Sequence, residues 1–341
     1  MSPTVATINH WLPAEFGDTG VAVAIISGGQ TRFYLHGFAD HSKQQAVGKQ
    51  TLFEIGSVTK PLVGLVTALL VTDQQLSLDT TVAALLQHAD YQQHQYTLAQ
   101  LLSHYSGLPR LPANLPLTDL TDPYANYSQA DLMAALQQVQ PGEQQFEYSN
   151  FGYGLLAELI SRQQNVGFSA MMQQQLFNPL NMTASTVAIT GGSYTNRAQG
   201  YQPDGTDSAN WHFQALAGAG AVLSSIADMA KLVEHYLSAT ATDNLSTRAS
   251  SNTPSLAKAM RLSVTPAAAD PTIGFGWMLQ PEGLIWHNGQ TGGFNAFVGF
   301  APAEQVGIII LSNATIPVTP GGMTLLQQLQ QQANTKSNEQ P

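Results

Sequence analysis

The hydrophobic pattern of the chain changes period twice. Val21 to Ser27 and Thr31 to Gly37 are rich in strand-forming residues and flank Gly28-Gly29-Gln30, which predicts a hairpin. From about Gly56 a helical period takes over. Lys60 to Thr72 is apolar on most faces and predicts a buried helix. Further helical patterns run over Leu98 to Ser103, Gln129 to Gln138, Gly152 to Gln163, Phe168 to Leu176 and Ser225 to Leu237. The segments between them, notably Leu108 to Pro123 and Ala188 to Asn210, are rich in Pro, Asn, Asp and Gly and predict loops. After about Thr272 the strand period returns, over Gly274 to Leu279, Leu284 to His287, Asn295 to Ala301 and Val306 to Ser312, before a closing helix at Leu325 to Ala333.

Strands at both ends and helices between them predict an α+β fold. An antiparallel sheet is built from both termini with flanking helices (residues 1–55 and 272–341), and a mainly helical region is inserted over 56–271. No internal repeat interrupts this order.

Composition narrows the partners. The charged fraction is 10% of 341 residues, far below the usual ~25%. Glutamine runs such as Gln173-Gln174-Gln175 and Gln330-Gln331-Gln332 fill the gap, as good helix formers on solvated faces. Net charge is −10 with no basic patch, which argues against nucleic acid or an anionic membrane as partner. Zero cysteines exclude disulfides, thiolate metal sites and a Cys nucleophile, and fit any redox compartment. No apolar run is long enough for a transmembrane segment. The pattern calls for neither metal nor cofactor.

The candidate chemistry lies in three short clusters. In Ser57-Val58-Thr59-Lys60 the serine and lysine are three apart at a helix start, so they share a face. Burial and the helix dipole both disfavour the ammonium there, and a lysine with a lowered pKa can take a serine proton. Backbone N–H groups at a helix start can hold an oxyanion. The plain alternative is a Ser cap with a surface Lys. A second Ser-x-x-Lys, Ser255 to Lys258, follows Thr253-Pro254 and reads as an ordinary capped helix start. In Tyr148-Ser149-Asn150, Tyr148 can relay protons and Asn150 can bond both a substrate amide and Lys60; the alternative is an Asn cap beside a packed Tyr. In His287-Asn288-Gly289-Gln290 a strand enters a Gly-rich turn where a ligand could approach the backbone. The Gln290 N–H is a candidate second oxyanion donor facing that of Ser57. The alternative is a hairpin with an incidental His.

Taken together, the chain resembles the serine β-lactamase-like hydrolases of the class C β-lactamase and D-Ala-D-Ala carboxypeptidase type, a group that includes family VIII esterases and D-aminopeptidases. Four blocks carry the resemblance in order: Phe53 to Lys60, Leu101-Leu102-Ser103-His104-Tyr105-Ser106-Gly107-Leu108-Pro109, Pro141 to Tyr153, and His287 to Phe294. The resemblance implies a site in the groove between sheet and helical region and an acyl-enzyme on Ser57. Lys60 and Tyr148 would share base and acid work, and Tyr148 would help activate the deacylating water. Asn150 would position the acyl amide, and His287, Asn288, Gly289 and Gln290 would line the substrate strand.

The third cluster departs from the Lys-Thr-Gly of class C β-lactamases, and Asn288 and Gln290 stand where carboxypeptidases with His at this place usually carry Thr. Capture of a substrate carboxylate and efficient cephalosporin hydrolysis are therefore not expected. If protonated His287 did meet a carboxylate, anionic β-lactams would be handled better at pH 6 than at pH 8. The expected function is a serine acyl hydrolase acting on esters or D-amino-acid-containing amides and peptides, with weak β-lactamase activity at most. The rival is a non-hydrolytic penicillin-binding or scaffold protein of the same fold. The substrate partner is thus a small-molecule ester, β-lactam or short D-amino-acid peptide. Residues 1–20 lack the basic start and apolar run of an export signal. The position of Ser57 suits a mature exported chain, so a periplasmic or secreted location is expected if a signal has been removed, and a cytoplasmic one otherwise.

Overall fold

Gly28 and Gly29, with φ of 59° and 71°, turn the chain tightly between the strands Val21–Ser27 and Gln30–His36. Both values suit the primed hairpin turn, which only residues tolerant of positive φ adopt readily. The register follows: Ser27 opposes Gln30 and Val21 opposes His36. The computed structural model describes residues 5–116, 118–241 and 254–338.

The hairpin joins the C-terminal strands in a six-stranded antiparallel sheet. Its order is Met278–Leu279, Ile285–Gln290, Asn295–Ala301, Val306–Ser312, Val21–Ser27, Gln30–His36. The seam between the termini is the pairing of Val21 with Ser312 through to Ile26 with Gly307. Strict alternation divides the sheet between two cores. Val21, Val23 and Ile25 face the helices Ile8–Phe16 and Thr319–Asn338, whereas Ala22, Ala24 and Ile26 face the helical region. Both faces are therefore covered, which explains why Val306–Ser312 is buried throughout and shows no polar face.

The helix Thr59–Thr72 runs through the larger core, with Thr59 to Leu70 all buried, including Lys60. No side chain caps its start. It grows out of a 3₁₀ turn at Gly56–Val58, and a second, three-stranded sheet of Leu52–Glu54, Val222–Ser225 and Thr186–Val187 leads into that turn. A buried ion pair of Glu54 with Arg197 (2.6 Å) fastens the approach, and Glu54 also accepts from the Trp211 amide at 3.0 Å. The helices Gln129–Gln138, Asn150–Gln164 and Ile226–Thr240 surround this core.

Two expected elements differ. Gly274 to Leu279 is strand only at Met278–Leu279, because Gly276 turns with φ 81° against the backbone of Lys60 and Pro61, and Gly274 bonds back to the Trp277 carbonyl. The apolar spacing of Phe275 and Trp277 reflects burial in a turn. Phe168 to Leu176 is helical, but as Phe168–Met172 followed by a π turn over Gln173–Phe177. No helix among the described residues is long and apolar enough to cross a membrane.

Candidate active site

The side chain of Lys60 is 0% exposed. Its Nζ lies 3.2 Å from Ser57 Oγ, 2.8 Å from Asn150 Oδ1 and 2.8 Å from the Ala219 carbonyl oxygen. No carboxylate is among these partners. Burial, reinforced by the Arg110 guanidinium, pushes its pKa well below the usual lysine range. A neutral amine has two N–H donors and one lone pair. In that neutral form Asn150 Oδ1 and the Ala219 carbonyl would take the two donors, which would leave the lone pair for the Ser57 hydroxyl.

Local structure explains why these atoms meet. The 3₁₀ turn at Gly56–Val58 puts Ser57 one turn ahead of Lys60, and the Ser57 hydroxyl does not cap the helix. At the second cluster it is Ser149 that caps, accepting from the Gly152 amide at 2.8 Å. Asn150 is thereby left free to reach Lys60. Its Oδ1 accepts from Lys60, which fixes which way its amide faces, and Tyr124 lies beside it.

Tyr148 lies beside Ser57 and Lys60, whose Nζ stands 4.7 Å from its ring centroid. Burial pushes the phenol up to about 12, so it holds its proton at neutral pH. Its ring packs at 4.5 Å from that of His104. His104 adopts a positive φ of 65°, uncommon for a residue other than glycine, and its Nδ1 accepts from the Ser149 amide at 3.1 Å. It therefore braces Tyr148 and the capping turn together. His104 stands in the second matching block, although sequence reasoning gave it no role; the positive φ that marks it is invisible in sequence. Tyr124 and Arg110 were missed for a plainer reason: they sit in a loop without periodicity.

The third cluster lies on the strand Ile285–Gln290. A Cβ added at Gly289 would stand 2.9 Å from the Ser57 nitrogen, and one added at Gly56 would stand 2.7 Å from the Gln290 nitrogen. The two backbones thus approach as only glycines permit, bringing the amides of Ser57 and Gln290 to one place. Met278–Leu279 covers only Ile285 and Trp286, so His287 to Gln290 keep a free strand edge. Asn288 and Gln290 are exposed, and alternation turns His287 inward.

His287 is 1% exposed and its ring centroid lies 6.4 Å from that of Tyr148. Burial and nearby Lys60 push its pKa down to about 3, against a hydrogen bond between Nδ1 and the Asn288 carbonyl at 2.6 Å. Burial thus favours the neutral imidazole, which bears on the conditional expectation that a protonated His287 would meet a carboxylate at pH 6. The second Ser-x-x-Lys is a surface feature. Ser255 lies in the helix Pro254–Ser263 and bonds Asp73, while Lys258 is exposed. Among the described residues no group of His, Asp and Glu is arranged to hold a metal ion.

The chain belongs to the Beta-lactamase family, whose model matches residues 13–332, and is a serine hydrolase of that superfamily. It is 27% identical to a protein named Beta-lactamase from Escherichia coli (strain K12), over 87% of this chain and 85% of that one. A Beta-lactamase from Lysobacter lactamgenus is 25% identical over 88% of this chain and 83% of its own. Protein flp from Staphylococcus aureus (strain N315) is 24% identical over 88% of this chain, which spans 61% of that longer protein.

Proposed function

We propose that the protein hydrolyses esters or D-amino-acid-containing amides and peptides through an acyl-enzyme on Ser57, with β-lactams as slow substrates. The observation that carries this reading is the environment of Lys60: a fully buried amine with its donors spent and Ser57 Oγ at 3.2 Å.

In acylation, Lys60 takes the Ser57 proton as Oγ attacks the substrate carbonyl. The N–H groups of Ser57 and Gln290 receive the oxyanion. Tyr148, which holds its proton at neutral pH, donates it to the leaving oxygen or nitrogen, and the ammonium of Lys60 returns a proton toward Tyr148. In deacylation a water attacks the acyl carbon, its proton passes to Tyr148 or Lys60, and Ser57 leaves with a proton restored. Asn150 meets the acyl amide beside its bond to Lys60. An extended substrate pairs with the free edge at His287 to Gln290, as strand addition does elsewhere. The preference against anionic β-lactams rests on neutral His287, which puts no charge on that strand.

The test is intact-mass spectrometry with a short-chain nitrophenyl ester, a penicillin and a D-Ala-D-Ala peptide, with turnover read in the same tubes. An acyl adduct on Ser57 and faster turnover of ester or peptide than of penicillin are expected. No adduct with any of the three would overturn the reading in favour of a binding protein. Penicillin turnover exceeding the others would overturn the substrate assignment.

A further inference from the structure

Burial pushes the basic groups Lys60, His104 and His287 toward their neutral forms. Arg110 differs from them. It is exposed, with its guanidinium carbon 5.4 Å from the Tyr148 ring centroid. Its backbone is clamped onto the second cluster: the Arg110 carbonyl accepts from the amides of Asn150 (2.9 Å) and Phe151 (3.2 Å), and Ser149 Oγ donates to the Pro109 carbonyl at 2.7 Å. Among the described residues no carboxylate comes within 4.0 Å of the guanidinium. An arginine stacked on a ring face keeps its N–H fork free for a planar anion.

We propose that Arg110 is the specificity residue for the acyl side of the substrate, where it pairs with a carboxylate carried by the acyl group. The assignment of side rests on the acyl-enzyme reading above, in which Asn150 meets the acyl amide; Arg110 is tied to Asn150 through its own carbonyl. The leaving-group side falls toward the strand bearing His287, and Ile285–Gln290 itself carries no Lys or Arg. The favoured substrate class is therefore an acyl donor derived from a dicarboxylic acid or an acidic residue, with one carboxyl group in the scissile bond and the other free.

The experiment compares 4-nitrophenyl hexanoate with the mono-4-nitrophenyl ester of adipic acid, which have the same chain length and differ in a terminal carboxylate. The ratio of kcat/KM, adipate over hexanoate, should fall about five-fold in Arg110→Ala, the scale of an exposed charge pair. It should fall further in Arg110→Glu and largely persist in Arg110→Lys. Raising the salt concentration should lower the wild-type ratio and leave that of Arg110→Ala unchanged. A second arm needs no chemistry: calorimetry of Ser57→Ala protein, with and without Arg110→Ala, binding benzylpenicillin and carbenicillin, which differ by one carboxylate on the acyl side chain. If the wild type cleaves neither ester and forms no adduct, the acyl-enzyme reading has failed while the binding arm still decides Arg110. A carboxylate preference indifferent to Arg110→Ala and Arg110→Glu, in rates or in binding, overturns the proposal.

Discussion

Gly289 backs directly onto Ile55: a Cβ on Gly289 would lie 2.0 Å from the Ile55 carbonyl oxygen. The obstacle is backbone, so it cannot yield as a flexible side chain would. Gly289→Ala must push the strand Ile285–Gln290 away from the turn that carries Ser57, and with it the Gln290 amide.

The expected loss in kcat/KM is on the order of 10²–10³-fold, the scale for removing an oxyanion donor. Gly283→Ala is the control. Gly283 has φ 80° but nothing within 4 Å of a Cβ, so that variant should lose some stability and keep its activity. Turnover within a few-fold of wild type in folded Gly289→Ala would mean that the strand takes no part in catalysis.

The nucleophile is tested against the chain's own decoy. Ser57→Ala should abolish the covalent adduct and nearly all turnover. Ser255→Ala, on the surface bonded to Asp73, should change rates by no more than a few-fold. An adduct that persists in Ser57→Ala, or that maps to Ser255, would transfer the role.

How much of this was legible depended on whether the signal was periodic and local. The hairpin at Gly28-Gly29, the helix after Ser57 and the strands Asn295–Ala301 and Val306–Ser312 could be read because alternation and helical spacing are written into adjacent residues. The meeting of Ser57 with Lys60 needed only a spacing of three. Asn150 reaching Lys60 spans 90 positions, so it was read from the chemistry of the residue and not from any periodicity. Three things were not legible. The burial of His287 depends on what the helical region brings against it. His104 depends on a backbone angle. Arg110 depends on a loop whose shape is set by bonds to Ser149, Asn150 and Phe151, and no pattern in residues 108–123 encodes those bonds.

His287 gives a prediction of pH indifference. With its pKa near 3, it stays neutral from pH 6 to pH 8, so the ratio of kcat/KM for a cephalosporin to that for a neutral nitrophenyl ester should be constant across that range. A ratio that rises toward pH 6 would show that His287 charges and meets the carboxylate. The same burial makes His287 a liability in acid. Its folded pKa lies below its unfolded value, so the unfolded chain binds the proton first, and stability is lost as pH falls from about 6.5 toward 3. His287→Gln should flatten that part of the curve of Tm against pH, although His104 contributes in the same direction and stays in place.

Lys60 makes the corresponding argument on the alkaline side, and it tests the base directly. In the unfolded chain Lys60 titrates near 10.4. In the folded protein burial holds it well below that range. Between the two values the unfolded state binds more protons, so the free energy of unfolding rises with pH by linkage. Lys60→Met keeps the volume and removes this titration, while groups common to both proteins cancel in the difference. Urea unfolding at pH 7, 8.5 and 10 should therefore show wild type gaining stability relative to Lys60→Met as pH rises, with the difference levelling above the unfolded lysine range. The same variant, like Tyr148→Phe, should lose roughly 10²–10⁴-fold in turnover, and the double variant should lose less than the product, because the two groups pass one proton between them. A stability difference that falls with pH would mean that Lys60 is held as the ammonium. It could not then take the Ser57 proton, and Tyr148 would have to start the reaction as its anion, against a phenol pushed up to about 12.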